Sequence, residues 1–141
     1  MTAYTLTIDD APGSDVSRAL GDGLTQHALP YTGVAGFRPL AALLRDERGE
    51  LVGGVYGHVN WTWLSIGLVW VAEPLRRGGH GRSLIEAIED AARTRGCRSA
   101  HLDTFSYQAR PFYERLGYEL FATLDDYPPG HHRYFLKKTL G

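Results

Sequence analysis

The sequence has little of several features that would place it in a specialised class of protein. Its 141 residues include one cysteine, Cys97, which excludes an internal disulfide or a multi-cysteine metal site and fits a reducing compartment. No apolar run approaches the roughly 18 residues of a membrane-spanning helix, and Met1–Tyr4 lacks the basic and apolar segments of a secretory signal. Because 15 Lys and Arg residues balance 16 Asp and Glu residues, no excess charge favours nucleic acid or a membrane surface. We therefore expect a cytoplasmic protein.

The composition is that of an ordinary globular chain. Hydrophobic residues make up 43% of the sequence and charged residues 22%, so enough apolar side chains are present for a packed core. A chain of this length is large enough for one core and too small for two. We predict a single domain over residues 1–141 that binds neither nucleic acid nor membrane.

The rest of the chain is organised around one stretch, Val69 to Ile85. In it, a β-branched run ends at a proline, three glycines follow within four positions, and an amphipathic helix begins. Glycines let the main chain approach a ligand, and the free N–H groups of the first helical turn point at that ligand. This arrangement favours an anion, and the flanking arginines suit a pyrophosphate. The residues concerned are Arg76, Arg77, Gly78, Gly79, Gly81 and Arg82.

Two other nucleotide-binding loops are alternatives for this stretch. A Walker A loop requires a lysine followed by serine or threonine after its last glycine, and Arg82-Ser83 does not supply that pair. A Rossmann loop is the closer alternative, because Gly79-x-Gly81 provides two of its glycines and Asp103 lies about 20 residues further on. Leu84 occupies its third glycine position, however, and the residues after Asp103 indicate one helix and two strands rather than further βα units.

The pattern before residue 38 predicts a strand, a helix and a loop. Alternation from Tyr4 to Ile8 predicts a half-buried first strand. A helix capped by Ser14 or Asp15 follows, and the glycines in its second half predict that it is short or bent. The stretch from Pro30 to Phe37 shows no helical or strand periodicity of apolar residues, which predicts a loop. The apolar face of the helix is formed by Val16, Leu20 and Leu24.

A hairpin and a central strand are predicted next. Pro39–Arg45 and Leu51–Trp61 flank a polar turn, and Gly53, Gly54 and Gly57 in the second strand indicate a bulge or the close approach of another backbone. The nearly continuous apolar character of Leu64–Val71 predicts a central strand that is covered on both faces.

After the glycine loop, the pattern predicts a helix, a parallel strand, a second helix and two last strands. In the first of these helices, Leu84, Ile85, Ile88, Ala91 and Ala92 face the core, whereas Glu86, Glu89, Asp90 and Arg93 face water, and Gly96 ends the helix. Ser99–Thr104 then completes a right-handed parallel crossover. The last two strands are Tyr118–Leu124 and Arg133–Leu140.

Two motifs resemble those of the GNAT-superfamily N-acetyltransferases. The first is Arg76-x-x-Gly79-x-Gly81, placed directly after an apolar strand. The second is Ala109-x-x-Phe112-Tyr113-x-x-x-Gly117-Tyr118, about 30 residues further on. The resemblance extends from about Leu64 to Leu120 and implies an α/β (α+β) fold. In that fold a mixed, mostly antiparallel sheet of six to seven strands has helices on both faces and contains a parallel strand-loop-helix-strand unit that binds CoA.

The same resemblance implies the roles of particular residues in acetyl-CoA binding and transfer. Tyr113 is the acid that protonates the departing thiolate, and main-chain N–H groups of Val69, Trp70 and Val71 hold the thioester carbonyl. Ser106 stands where family members often have an asparagine that contacts CoA. The pyrophosphate loop comprises Arg76, Arg77, Gly78, Gly79, His80, Gly81, Arg82 and Ser83.

No general base is evident from the sequence. Ser65 stands where some family members have a catalytic glutamate, which leaves a water chain or one of His58, Glu73, Asp103, His131 and His132. Adjacent histidines point in different directions in an extended chain, so we predict no metal site. Two functions remain: an N-acetyltransferase that acts on a primary amine of a small molecule or peptide in a ternary complex, and a non-catalytic acetyl-CoA-binding module. A homodimer paired through an exposed last strand is left open.

Overall fold

The computed structural model describes residues 3–33 and 36–141. By their internal contacts the residues form two units, 1–35 and 36–141, and each is described by itself. Of the helices in the described ranges, none combines the length and the apolar character that a bilayer crossing requires.

The N-terminal unit contains one helix, α1 (Ser14–Thr32). The predicted first strand is wrong: residues 3–9 form no strand, and Tyr4, Leu6 and Ile8 are about nine-tenths exposed. Alternation makes a segment able to join a sheet, but a strand also needs a hydrogen-bonded neighbour, which these residues lack. Helix α1 is also longer than predicted and includes Pro30. Its N-cap is Gly13 rather than Ser14 or Asp15.

The C-terminal unit is built on a six-stranded mixed sheet with strand order β1-β2-β3-β4-β6-β5. Only β3 and β4 are parallel; every other neighbouring pair is antiparallel. The predicted hairpin and parallel crossover are therefore confirmed, and the Rossmann alternative is wrong because its sheet would be mostly parallel. The strands are β1 (Arg38–Arg45), β2 (Leu51–Asn60), β3 (Trp63–Val71), β4 (Ser99–Phe105), β5 (Glu119–Asp125) and β6 (His132–Thr139).

Two helices belong to this unit, α2 (His80–Thr94) and α3 (Arg110–Arg115). Helix α2 packs across β1, β2 and β3, and Ile85 and Ile88 are fully buried with Leu64 and Leu136 of the sheet. Each such side chain contributes about 1.5–3 kcal/mol by leaving water. Cys97 is buried in the same core, and burial raises the pKa of its thiol.

One residue of α2 does not face water as predicted. Glu89 is only 2% exposed, and its carboxylate accepts hydrogen bonds from the Tyr118 hydroxyl at 2.8 Å and from the Lys138 ammonium at 3.0 Å. A buried carboxylate is stable where hydrogen bonds and an opposite charge replace water. Both partners lie far along the chain, so the helical pattern alone could not predict them.

The glycines of β2 allow the close backbone approach that was predicted. A Cβ atom on Gly57 would collide with the carbonyl oxygen of Ser65 in β3. The β2–β3 register shifts at the same place, between Tyr56 and Gly57. Strand β3 is central, as predicted, but it is not covered on both faces, because Leu68 and Trp70 are more than half exposed.

The last strand does not lie at an edge of the sheet. Strand β6 is paired on both sides, by β4 and by β5, so the edges are β1 and β5. Dimer formation through an exposed last strand is therefore excluded.

Candidate active site

A cavity of about 830 Å³ opens where β3 and β4 separate. The two strands pair only from Trp63–Ser99 to Ile66–Leu102. Beyond that point the walls are Ile66–Val71 on one side and Leu102–Thr104 on the other, and the loop before α2 and the residues around α3 close the ends. Main-chain groups on this edge of β3 have no β4 partner, so they are available to a ligand.

A bulge at Gly67 sets the direction of the side chains beyond the separation. The β2 partners pass from Gly57–Ile66 to Tyr56–Leu68, so Gly67 is an extra residue in β3. An extra residue reverses which face the following side chains occupy. Val69 and Val71 consequently pack on the core, as Ile66 does, while Leu68 lies on the opposite face.

The loop before α2 has the geometry of an anion site. Gly79 caps the helix with a φ of +83°, in the left-handed region that suits glycine. The first main-chain bond of the helix runs from the Ser83 N–H to the Gly79 carbonyl, so the N–H groups of His80, Gly81 and Arg82 precede the helical ladder. These groups lie at the positive end of the helix dipole.

The arginines beside this loop have different environments. The Arg76 guanidinium donates through Nε to the Val71 carbonyl at 2.9 Å and so ties the loop to the end of β3. Arg82 pairs with Glu86 on the exposed side of α2, at 2.7 Å. Arg77 lines the cavity and has a φ of +68°. Main-chain donors and side-chain cations therefore meet at one end of the cavity.

Tyr113 lines the same cavity from α3. It is 8% exposed, and burial together with the nearby charge of Asp103 raises the pKa of its phenol to about 12. The hydroxyl is therefore protonated near neutral pH and can donate a proton or a hydrogen bond. Asp103 also lines the cavity, but its carboxylate accepts a hydrogen bond from Arg133 at 2.8 Å. Because Arg133 occupies that carboxylate, Asp103 is poorly placed to contact an acceptor amine.

The other base candidates lie outside this cavity. Glu73 begins a short 3-10 turn (Glu73–Leu75) and is exposed. The His131 ring contacts the Ser106 hydroxyl at 3.0 Å, and the His132 ring contacts Asp125 at 3.0 Å. His58 lines a second, smaller cavity.

Most of the predicted cofactor-binding residues line the large cavity, and three do not. Val69, Trp70, Val71, Arg76, Arg77, Gly79, His80, Gly81 and Arg82 line it. Gly78 does not, and the Ser83 hydroxyl donates to the Gly79 carbonyl within the first turn of the helix. Ser106 accepts a hydrogen bond from the His132 N–H at 3.0 Å and so holds the chain before β6 against the end of β4.

Several residues of the cavity wall were not predicted as site residues, Phe112 and Gln108 among them. Phe112 contacts α2 closely, since a Cβ atom on Gly81 would lie 3.3 Å from its ring. Gln108 lines the cavity while its side-chain oxygen accepts a hydrogen bond from the Phe105 N–H at 3.0 Å. Phe112 stands in the second motif, which was the available signal, whereas nothing in the local sequence marks Gln108.

Comparison with known proteins identifies the family. The model of the acetyltransferase (GNAT) family matches residues 16–118. The blasticidin-S acetyltransferase of Streptomyces morookaense is 44% identical over 80% of this chain and 86% of its own length. An acetyltransferase of Agrobacterium fabrum is 30% identical over 93% of this chain and 96% of its own. The crystal structure of a Bacillus cereus acetyltransferase superposes with a TM-score of 0.83 at 29% identity, covering 94% of this chain and 97% of that one. The protein belongs to the GNAT acetyltransferase family and is an acyltransferase.

Proposed function

We propose that this protein, acting as one N-acetyltransferase domain, transfers an acetyl group from acetyl-CoA to a primary amine of a small molecule. The observation that carries the proposal is that one cavity brings together an anion-binding loop, an unpaired strand edge and a protonated tyrosine. These are the three elements that a thioester with a phosphorylated tail requires.

The donor lies along the cavity from the loop to the strand edge. Its pyrophosphate accepts hydrogen bonds from the N–H groups of residues 80–82, with Arg77 as a side-chain cation. A main-chain N–H from Val69–Val71 holds the thioester carbonyl oxygen, on which negative charge develops during attack. One such donor contributes about 3 kcal/mol in comparable sites.

Transfer then proceeds directly from donor to acceptor. The amine nitrogen attacks the thioester carbonyl carbon, the C–N bond forms, and the C–S bond breaks. Tyr113 protonates the departing thiolate. An acetylated cysteine does not participate, because Cys97 is in the core.

The acceptor is proposed from one of the relatives described above. The 44% identical relative is a blasticidin-S acetyltransferase, and this supports a small-molecule amine over a peptide amine. Blasticidin-S is therefore the first compound to test, followed by a panel of small amines and an N-terminal peptide amine.

An acceptor screen tests this proposal. The protein, acetyl-CoA and each amine are mixed, and thiol release is followed with a colorimetric reagent. We expect release that depends on both protein and amine. If acetyl-CoA raises the melting temperature but no amine releases thiol, the protein is a non-catalytic acetyl-CoA-binding module.

A further inference from the structure

A second cavity, of about 390 Å³, lies at the other end of β3. It is formed where β2 ends and where β3 and β4 begin. Aromatic rings make up much of its wall, and two imidazoles, a hydroxyl and an amide supply its polar groups. The lining residues are Phe37, His58, Asn60, Trp61, Trp63, Ser65 and His101.

The sheet register places three of the polar side chains in one row. His58 of β2 is the partner of Ser65 in β3, and Ser65 is the partner of His101 in β4. Directly opposed residues of neighbouring strands share a face, at a spacing of about 4.8 Å per strand. Leu64 and Ile66 occupy the opposite face, in the core with α2. The row therefore lies on the face away from α2.

This second cavity lies next to the point where the acetyl donor cavity begins. Ser65 and His101 directly precede Ile66 and Leu102, the last parallel pair before the strands separate. Asp103 lies two residues beyond His101 on the same face and already lines the donor cavity. Two residues along a strand span about 6.6 Å. The N–H of Val69, proposed above to hold the thioester carbonyl, lies four residues beyond Ser65, about 13 Å along β3. An acceptor that binds in the second cavity therefore has to extend its amine into the gap between β3 and β4 to meet the thioester.

The surroundings of His101 leave its ring available for proton exchange. Across the sheet it faces Ser65 on β3 and Lys137 on β6, and the Trp63 ring meets it edge-on with centroids 5.6 Å apart. The nearest carboxylate along its strand, Asp103, is paired with Arg133. Within residues 3–33 and 36–141 the His101 ring makes no hydrogen bond, in contrast to those of His131 and His132.

His58 lies in the same row but is less well placed. Its ring stacks on Phe37 with centroids 4.4 Å apart, and Tyr56 packs edge-on against it. It also belongs to β2, so the whole width of β3 separates it from the gap between β3 and β4. His101 belongs to β4, which borders that gap.

We propose that the second cavity receives the acceptor amine and that His101 accepts a proton from its ammonium group. This inference rests on the proposed function. The aromatic walls hold the ammonium through cation–π attraction before it loses its proton. Histidine is the side chain suited to proton exchange near neutral pH, whereas a primary ammonium with a pKa of about 10.4 is almost fully charged there.

The proton balance assigns a separate role to each group. His101 takes one proton from R–NH3⁺, and the resulting amine attacks the acetyl carbon. The C–N bond forms and the C–S bond breaks; Tyr113 protonates the thiolate and is reprotonated by the second proton lost from nitrogen. His101 returns its proton to solvent. The net change is R–NH3⁺ and acetyl-CoA giving the amide, CoA thiol and one released proton.

Steady-state kinetics of His101→Gln with acetyl-CoA and blasticidin-S, or with another amine acetylated by the wild-type protein, tests this role. We expect kcat to fall by about 10²-fold, the usual value of general base catalysis. The pH dependence of kcat should differ from that of the wild-type protein. The melting-temperature increase produced by acetyl-CoA should remain. Arg48→Gln is the matched control, because Arg48 lies in the exposed β1–β2 turn, away from both cavities. This variant also introduces a glutamine and should keep the wild-type kcat.

A second variant distinguishes a chemical role from a structural one. In His101→Ala, added imidazole should restore part of kcat, because free imidazole can enter the vacated space and accept the proton. An unchanged kcat and an unchanged pH profile in His101→Gln would overturn the assignment, and so would a loss in His101→Ala that imidazole does not relieve. If the wild-type protein itself transfers no acetyl group, the proposed function fails instead, which is a different result.

Discussion

At the scale of single residues, the burial of Tyr113 determines its strength as an acid. Its phenol has a pKa of about 12, whereas an ordinary thiol has one of about 8.5. Proton transfer from Tyr113 to a thiolate is therefore unfavourable unless burial also raises the basicity of the thiolate. A CoA thiolate that leaves in this cavity, as proposed, would lose its hydration too, and this would raise its basicity. The proton transfer consequently depends on a short distance between the Tyr113 hydroxyl and the thiolate sulfur and on the exclusion of water.

Tyr113→Phe removes only the hydroxyl and keeps the ring. We expect kcat to fall by about 10²-fold while the melting-temperature increase produced by acetyl-CoA stays the same, since the acid acts in the transition state. Tyr118→Phe is the matched control. Its hydroxyl is also buried but contacts Glu89 and does not line the cavity, so this variant should lose about 1.5–3 kcal/mol of stability and keep kcat. An unchanged kcat in Tyr113→Phe, where chemistry limits the rate, would make water the proton donor.

At the scale of elements, the loop before α2 contains two glycines with different functions. A Cβ atom on Gly81 would press against Phe112, so this glycine allows α2 and α3 to approach each other. A Cβ atom on Gly79 would meet nothing within 4 Å, although the φ of +83° strains any other residue. Because Gly79 lines the cavity, a side chain there would occupy space that the proposed pyrophosphate requires.

Replacing Gly79 tests the loop. In Gly79→Val we expect acetyl-CoA to lose its stabilising effect, measured as the shift in melting temperature with ligand concentration. Gly49→Val is the matched control, since Gly49 has a φ of +79°, is equally open, and lies in the β1–β2 turn. Each variant should be destabilised by about 1–3 kcal/mol through backbone strain. If both variants kept the shift, the pyrophosphate would not bind at this loop.

The sequence predicted those elements whose pattern and partners are local. The hairpin of β1 and β2 and the unit from β3 to β4 follow from alternation, turn residues and glycines close in the chain. The predicted strand at Tyr4–Ile8 was wrong, because an alternating sequence pattern does not provide the neighbouring strand with which the segment would have to form hydrogen bonds. Burial of Glu89 and the occupation of Asp103 by Arg133 depend on residues 29 or more positions away. No local pattern contains that information.

The same distinction applies to the candidate site. The loop and Tyr113 were predicted from two motifs, and both line one cavity. The base was not predicted, because which histidine lies beside the gap is set by the register of β2, β3 and β4. Register depends on a bulge and on cross-strand packing, which a single sequence does not reveal.

At the scale of the whole molecule, the two buried tyrosines should make the free energy of unfolding fall at alkaline pH. Burial raises the pKa of Tyr113 to about 12, and burial together with Glu89 raises the pKa of Tyr118. A raised pKa means that the folded state binds more protons than the unfolded chain above pH 10. The free energy of unfolding is therefore unaffected by these groups below about pH 10. It falls by up to about 1.4 kcal/mol per pH unit for each group above that pH.

Denaturant unfolding between pH 8 and pH 12 measures this effect. The wild-type protein should lose stability steeply above about pH 10, and Tyr118→Phe, although less stable at pH 8, should show a shallower slope. Equal slopes in the two proteins would contradict the assigned environment of Tyr118.

Delivery of an acetyl group to an amine in the cavity between β3 and β4 can be followed with acetyl-CoA labelled in the acetyl carbonyl. The labelled donor is mixed with the protein, blasticidin-S and the amine panel, and products and protein are analysed by mass spectrometry. We expect the label on an amine nitrogen, one label per thiol released, and none on the protein. Label that remains in acetyl-CoA, or appears only as free acetate, with every amine would contradict it.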